Sequence, residues 1–139
     1  MNYRHAFHVG NHADILKHAC LALSLAHLRR KATPFVVMDT HAGRGRYALD
    51  GEEATRSPEW RHGVGRLWDW AEAPAGLDPL MAAIRAANDE AAVLTAYPGS
   101  PLLALHGLRA QDRLVACELH PEEAGALRRR LADDPRAQV

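Results

Sequence analysis

The sequence predicts an α/β fold built on an open, incomplete parallel sheet, and three observations predict it. Phe35-Val-Val-Met38 is a short apolar run rich in β-branched residues. Pro34 precedes it and Asp39 ends it, so it reads as a buried strand. Leu114-Val-Ala-Cys117 is a second such run, ending in Glu118, and helical periods lie between and after the two. The first strand feeds a loop carrying Gly43 and Gly45. A strand running into a glycine-bearing turn is how open α/β folds build a ligand crevice at the carboxyl ends of their strands.

The elements follow in order. Residues 1–10 show no period and end at Gly10. Asn11 is a good N-cap, and Asp14 suits the first turn of a helix running from His12 to about Lys31. Ile15, Ala19, Leu23 and Ala26 line one predicted face, with Leu16 and Cys20 beside them. After the strand and glycine loop, Ser57-Pro58-Glu59 reads as N-cap, N1 and acidic first turn of a helix carrying Trp60, Val64, Leu67, Trp68 and Ala71. Pro74-Ala-Gly76 breaks the pattern. A second helix, capped by Asp78 and starting at Pro79, carries Leu80, Met81, Ile84 and Ala91. Residues 50–95 thus read as a helical hairpin. Tyr97-Pro-Gly-Ser-Pro101 turns into a short helix reaching about Leu108, with Ser100 as N-cap and Pro101 at N1. Pro121-Glu-Glu123 opens a last helix with Ala124, Leu127 and Leu131 inward and Arg128, Arg129 and Arg130 as its solvated face. Val139 reads as the first residue of a third strand.

Two strands cannot form a stable open sheet by themselves. The expectation is that residues 1–139 are the N-terminal part of one larger α/β domain. A formal net charge of zero removes overall basicity as an argument for nucleic acid. No apolar run approaches the roughly 20 residues that span a bilayer, and the first residues lack a signal-peptide core, so no membrane association is expected. Cys20 and Cys117, far apart, read as reduced thiols of a cytoplasmic protein.

Gly43-Arg-Gly-Arg-Tyr-Ala48 fits the G-x-G-x-x-A dinucleotide fingerprint, and a nicotinamide-dependent oxidoreductase is one reading of it. Two features argue otherwise. The acidic ribose ligand should follow the glycines by about 20 residues, whereas Glu118 lies far downstream. Asp39 already ends the first strand, and a pyrophosphate would not favour it. A ligand with a cationic part and a ribose diol, such as S-adenosylmethionine, suits both carboxylates. Ser100 is set to cap its helix, and the same helix end suits a carboxylate. Nine histidines, five in the first 27 residues, raise the question of a metal. His5, His8 and His12 lack a local carboxylate or cysteine, and a structural zinc site wants four protein ligands, so no metal is expected. Tyr3, Phe7 and the histidine rings of this tail suit stacking on nucleic-acid bases; the plainer alternative is that they pack over the sheet. His18, one turn from Asp14, is spaced to pair with it.

Tyr3–His18 (YRHAFHVGNHADILKH), Asp39–Tyr47 (DTHAGRGRY), Tyr97–Pro101 (YPGSP) and Glu118–Pro121 (ELHP) together resemble the RlmJ family. Its members are bacterial methyltransferases acting on the exocyclic amine of one adenine in large-subunit (23S) ribosomal RNA. The resemblance runs through all 139 residues. It implies a Rossmann-like S-adenosylmethionine-dependent methyltransferase fold with a helical insertion at about 50–96. It also implies S-adenosyl-L-methionine as methyl donor and 23S ribosomal RNA as substrate. On matching positions, it implies that His18, His41, Ser100 and Glu118 contact the cofactor. Tyr3 falls on the RNA side, and His5 and Lys17 near the active site. The family's catalytic Asp-Pro-Pro-Tyr does not occur in these 139 residues, so they are expected to hold the cofactor part of the site and not to turn over alone. A non-catalytic RNA-binding or assembly module is the alternative that this missing motif suits.

Overall fold

The computed structural model describes residues 5–139, so the expectation for Tyr3 lies outside the described residues. Helix α1 (His12–Leu28) begins as predicted: the Asn11 side chain accepts the Asp14 N–H at 3.0 Å. Strand β1 (Val36–Asp39) follows. The chain then makes the short strand β2 (Arg46–Ala48), the helices α2 (Glu52–Arg56), α3 (Val64–Trp68) and α4 (Asp78–Ala86), and the strand β3 (Ala96–Pro98). Helix α5 (Ser100–Gly107), strand β4 (Arg113–Ala116), helix α6 (Pro121–Leu131) and strand β5 (Ala137–Gln138) complete it.

The main sheet is parallel, in the order β1-β4-β5, with Val37 opposite Leu114 and Leu114 opposite Ala137. The third strand therefore starts two residues before Val139. β2 and β3 form a separate antiparallel ribbon where the sequence predicts loop and turn. This ribbon gathers both ends of the helical segment: Tyr47 lies opposite Tyr97, and Leu49 N–H donates to Thr95 O.

Several local expectations are corrected. β1 is not buried on both sides. Val36 and Met38 are 62% and 66% exposed, while Val37 and the facing Leu114 and Ala116 pack under Leu25, Ala104, Leu105 and Leu127. Among the described residues, helices cover one face of the sheet only, so a strand with the composition of a fully buried one alternates. α1 turns a different stripe inward than its periodicity suggests. Asp14, His18, Ala19, Ala22 and Leu25 are buried, whereas Leu16 and Leu23 are exposed. Two polar residues sit on the buried stripe because their polar atoms have hydrogen-bond partners, and a hydrophobicity count does not see partners.

The helix expected over Ser57–Ala71 breaks at Gly63 into a 3₁₀ turn (Glu59–His62) and α3. A Cβ on Gly63 would lie 2.1 Å from Gly10 O, and Val64 N–H donates to that same oxygen. The close approach of two backbones ends the helix there. Asp78 is the first residue of α4 and not its cap. Ala91 lies beyond that helix, after Asn88. The buried Asn88 amide donates to Ile84 O and Ala96 O, and its oxygen accepts from Thr95 and Ala96 N–H. One side chain thereby satisfies the turn into β3.

Two cores result. One joins α1 to the helical segment and the ribbon through Val9, Ala22, Val64, Leu80, Ile84 and Tyr97. The other lies under the sheet, and Leu21 touches both. Among the described residues, no helix is long and apolar enough to cross a membrane.

Candidate functional site

A cavity of about 370 Å³ opens at the carboxyl ends of β1 and β4. Six residues singled out in the sequence line it: His5, Lys17, His18, His41, Ser100 and Glu118. They come from the N-terminal segment, α1, the glycine loop, the start of α5 and the end of β4. The volume falls within the range of small-molecule sites.

The glycine loop forms the cavity's floor. Gly43 and Gly45 have φ of +64° and +83°, which L side chains rarely adopt. A Cβ on Gly43 would meet the Tyr47 hydroxyl at 2.2 Å. The loop then enters a strand, β2, whereas a dinucleotide fingerprint needs it to open a helix. That context is missing, which counts against the nicotinamide reading. β1 and β4 are tied at this end by Cys117 N–H donating to Asp39 O and Ala42 N–H donating to Cys117 O.

Glu118 stands where β4 meets the loop. Its Oε2 accepts the Gly43 N–H at 2.8 Å and its Oε1 accepts the His120 N–H at 2.7 Å. A carboxylate has about four acceptor positions, so this fixed group keeps capacity for a pair of hydroxyls. Asp39 Oδ1 accepts from His41 N–H, while Oδ2 is buried with no partner among the described residues. An orphaned buried acceptor marks a place for a donor.

Ser100 is at the first position of α5, not at its cap; Gly99 takes the cap, its N–H donating to Gly45 O at 2.7 Å. The Ser100 hydroxyl has no partner among the described residues, so it is available at a positive helix end.

His18 does not bond Asp14. Its Nδ1 lies 2.9 Å from the Tyr97 hydroxyl, with the two rings 21° apart in plane. Burial lowers the His18 pKa to about 4; Asp14 pulls it up, and Lys17 and His5 push it down. The ring is therefore neutral at pH 7. Burial likewise pushes the Tyr97 and Tyr47 phenols well above their ordinary range.

Asp14, which the sequence marks only as a first-turn residue, organises the cavity's basic wall. It is 3% exposed. Its Oδ2 accepts from His5 Nε2 and Gly10 N–H, and its Oδ1 from Lys17 Nζ, each at 2.9 Å. Burial by itself would raise this carboxyl, but the bonds and charge of His5 and Lys17 outweigh it and hold it well below the usual carboxylate range. The His5 ring also meets the edge of Tyr47 at 5.3 Å. Asp14, Tyr47, Tyr97, His120 and Glu123 are site residues that sequence reasoning missed. Asp14, Tyr47, Tyr97 and His120 all lie inside the blocks that resemble the family, and that is the signal which could have found them; Glu123 lies outside those blocks. His8 turns away to Glu59, and among the described residues no group of three His, Cys, Asp or Glu side chains is placed to hold a metal.

The parallel sheet and the cavity at its strand ends define the class: a Rossmann-like α/β protein with a cavity at the carboxyl edge of its sheet. Residues 32–139 match the family described as "Ribosomal RNA large subunit methyltransferase D, RlmJ". The chain belongs to this family. It is 44% identical over all 139 residues to "Ribosomal RNA large subunit methyltransferase J" of Escherichia coli (strain K12). It is 42% identical over the same span to the Haemophilus influenzae protein of that name. It spans about half the length of each, 49% and 50%. The crystal structure of protein LPL1258 from Legionella pneumophila matches 94% of the chain at a TM-score of 0.84 and 35% identity, over 48% of that protein.

Proposed function

We propose that this chain carries the cofactor-binding part of a methyltransferase domain that uses S-adenosylmethionine to methylate the exocyclic amine of an adenine in 23S ribosomal RNA. The observation that carries the reading is the convergence of His18, His41, Ser100 and Glu118 on one cavity beside the glycine loop. Glu118, fixed by two backbone N–H groups, is suited to the ribose diol. Ser100 and the start of α5 are suited to the methionine carboxylate, and His18 and His41 complete the enclosure. The bound group would supply a methyl on a positive sulfur; transfer from it requires an in-line pose more than acid–base help.

His5 and Lys17, held by Asp14, face the side where the base would enter, and Tyr3 belongs to the same tail. The helical segment 50–96 is read as an insertion in the fold. It holds nine carboxylates against four arginines, so the rest of the chain carries the compensating positive charge. A phosphate backbone would follow that remainder and avoid the insertion. The target base must be unpaired or flipped out to reach such a site. On this reading the protein works in the cytoplasm, with its RNA.

Titration calorimetry tests the first step. S-adenosylmethionine should bind with one-to-one stoichiometry and NAD should not. Binding of NAD alone would return the oxidoreductase reading. Because the 139 residues contain no Asp-Pro-Pro-Tyr, the chain should bind cofactor without methylating protein-free 23S RNA. Turnover by this chain would show that the acceptor is held in another way.

A further inference from the structure

We propose that Tyr97 is a positioning residue: its phenol donates to His18 Nδ1, fixes the imidazole as the Nε2–H tautomer, and so makes His18 a neutral donor to the carboxylate of the bound ligand. The tautomer follows from counting donors and acceptors. Tyr97 is fully buried, and His18 Nδ1 is the one partner of its hydroxyl among the described residues. A phenol has a single proton to donate. If Nδ1–H donated to the hydroxyl, the phenol proton would point into packed protein without an acceptor, which is costly. If the phenol donates, both groups are satisfied and the ring's proton resides on Nε2. His18 itself is 1% exposed, and Nε2 has no protein partner among the described residues, while the residue lines the cavity. Burial keeps both rings in the neutral forms that this requires.

The ligand group follows from the surroundings. Ser100 brings the positive end of α5 to the same cavity. Lys17, the nearby cation, is engaged by Asp14. An anionic acceptor between Ser100 and Nε2–H would meet a helix end and two neutral donors. This second step rests on the S-adenosylmethionine reading; the tautomer does not.

Nitrogen-15 NMR of the histidine rings at pH 7 decides the tautomer in the absence of any ligand. His18 should show a protonated Nε2 and a pyridine-type Nδ1. In Tyr97→Phe, which keeps the ring volume, the two tautomers should mix, and S-adenosylmethionine should bind roughly tenfold more weakly. The decarboxylated analogue should bind the variant and the wild type alike. An Nδ1–H tautomer in the wild type overturns the proposal, as does a variant that keeps both the Nε2–H signature and full affinity. Failure of the wild type to bind S-adenosylmethionine, with the Nε2–H tautomer observed, would overturn the ligand reading and the carboxylate role together, leaving the Tyr97 assignment in place.

Discussion

Asp14 decides whether His5 and Lys17 keep their places on the cavity wall. Replacing it with Asn keeps the shape but removes the charge that three donors share. Charge-assisted hydrogen bonds of this kind contribute more than neutral ones, so Asp14→Asn should lower stability by about 2 kcal/mol. It should weaken cofactor binding as well; unchanged urea denaturation and unchanged affinity would remove Asp14 from this role. His18 sets a pH dependence at the same scale. Its folded pKa is about 4 against an ordinary 6.5, so the unfolded chain takes up the proton first as pH falls. Stability should therefore be whole above pH 6.5 and decline between 6.5 and 4, by about 3 kcal/mol from this group. Asp14, held below its ordinary range, adds a further loss as pH falls below about 4. Chemical denaturation from pH 7.5 to 4.5 checks the first decline, which should shrink in His18→Asn.

Elements here are cut to length by contacts between backbones. Gly63 separates the Glu59–His62 turn from α3 because Gly10 O lies where its Cβ would be. Gly10 itself has a φ of +66° and begins the approach to α1. Gly63→Ala should lower the melting midpoint and cost about 2–3 kcal/mol, since backbone on both sides must move. Gly76, where a Cβ would have nothing within 4 Å, should accept Ala with no such loss. The two positions differ in neighbours and in backbone, Gly63 standing at φ −107° and ψ −105°, so equal effects would show that the Gly10–Gly63 crossing is not what divides the helices.

At the scale of the whole fold, the sheet has one covered face and, among the described residues, one bare face. Leu114 and Ala116 lie under α5 and α6, while Val36 and Met38 face outward. Met38→Lys should change stability by no more than about 0.5 kcal/mol. Leu114→Lys, which drives a charge into the second core, should prevent folding. Exposed apolar sheet surface also favours self-association, and Met38→Lys should reduce any concentration-dependent sedimentation. A large stability loss in Met38→Lys would mean that this face is covered in solution.

Local chemistry determined much of this protein from sequence. Asn11 as a cap, β1 and β4 as strands, the glycine loop and the inward face of α6 are all legible, because caps, β-branched runs and 3.6-residue periods act over a few residues. His5, Lys17, His18, His41, Ser100 and Glu118 are legible as candidates through the family resemblance. Their meeting at one cavity is long-range: it needs the β2–β3 ribbon to return the chain from the helical segment to the glycine loop. The buried stripe of α1 escapes a periodicity count because Asp14 and His18 look polar until Gly10, His5, Lys17 and Tyr97 are placed beside them. The bare face of β1 escapes it because composition reports that a strand is apolar, not which side a helix covers. Sequence by itself determined α1, β1, α5, β4 and α6 and the family resemblance, since those follow from neighbours along the chain, but not the β2–β3 ribbon or the break at Gly63. Tertiary structure alone decided the partners of the buried polar groups, since burial and hydrogen bonding depend on what the fold brings near.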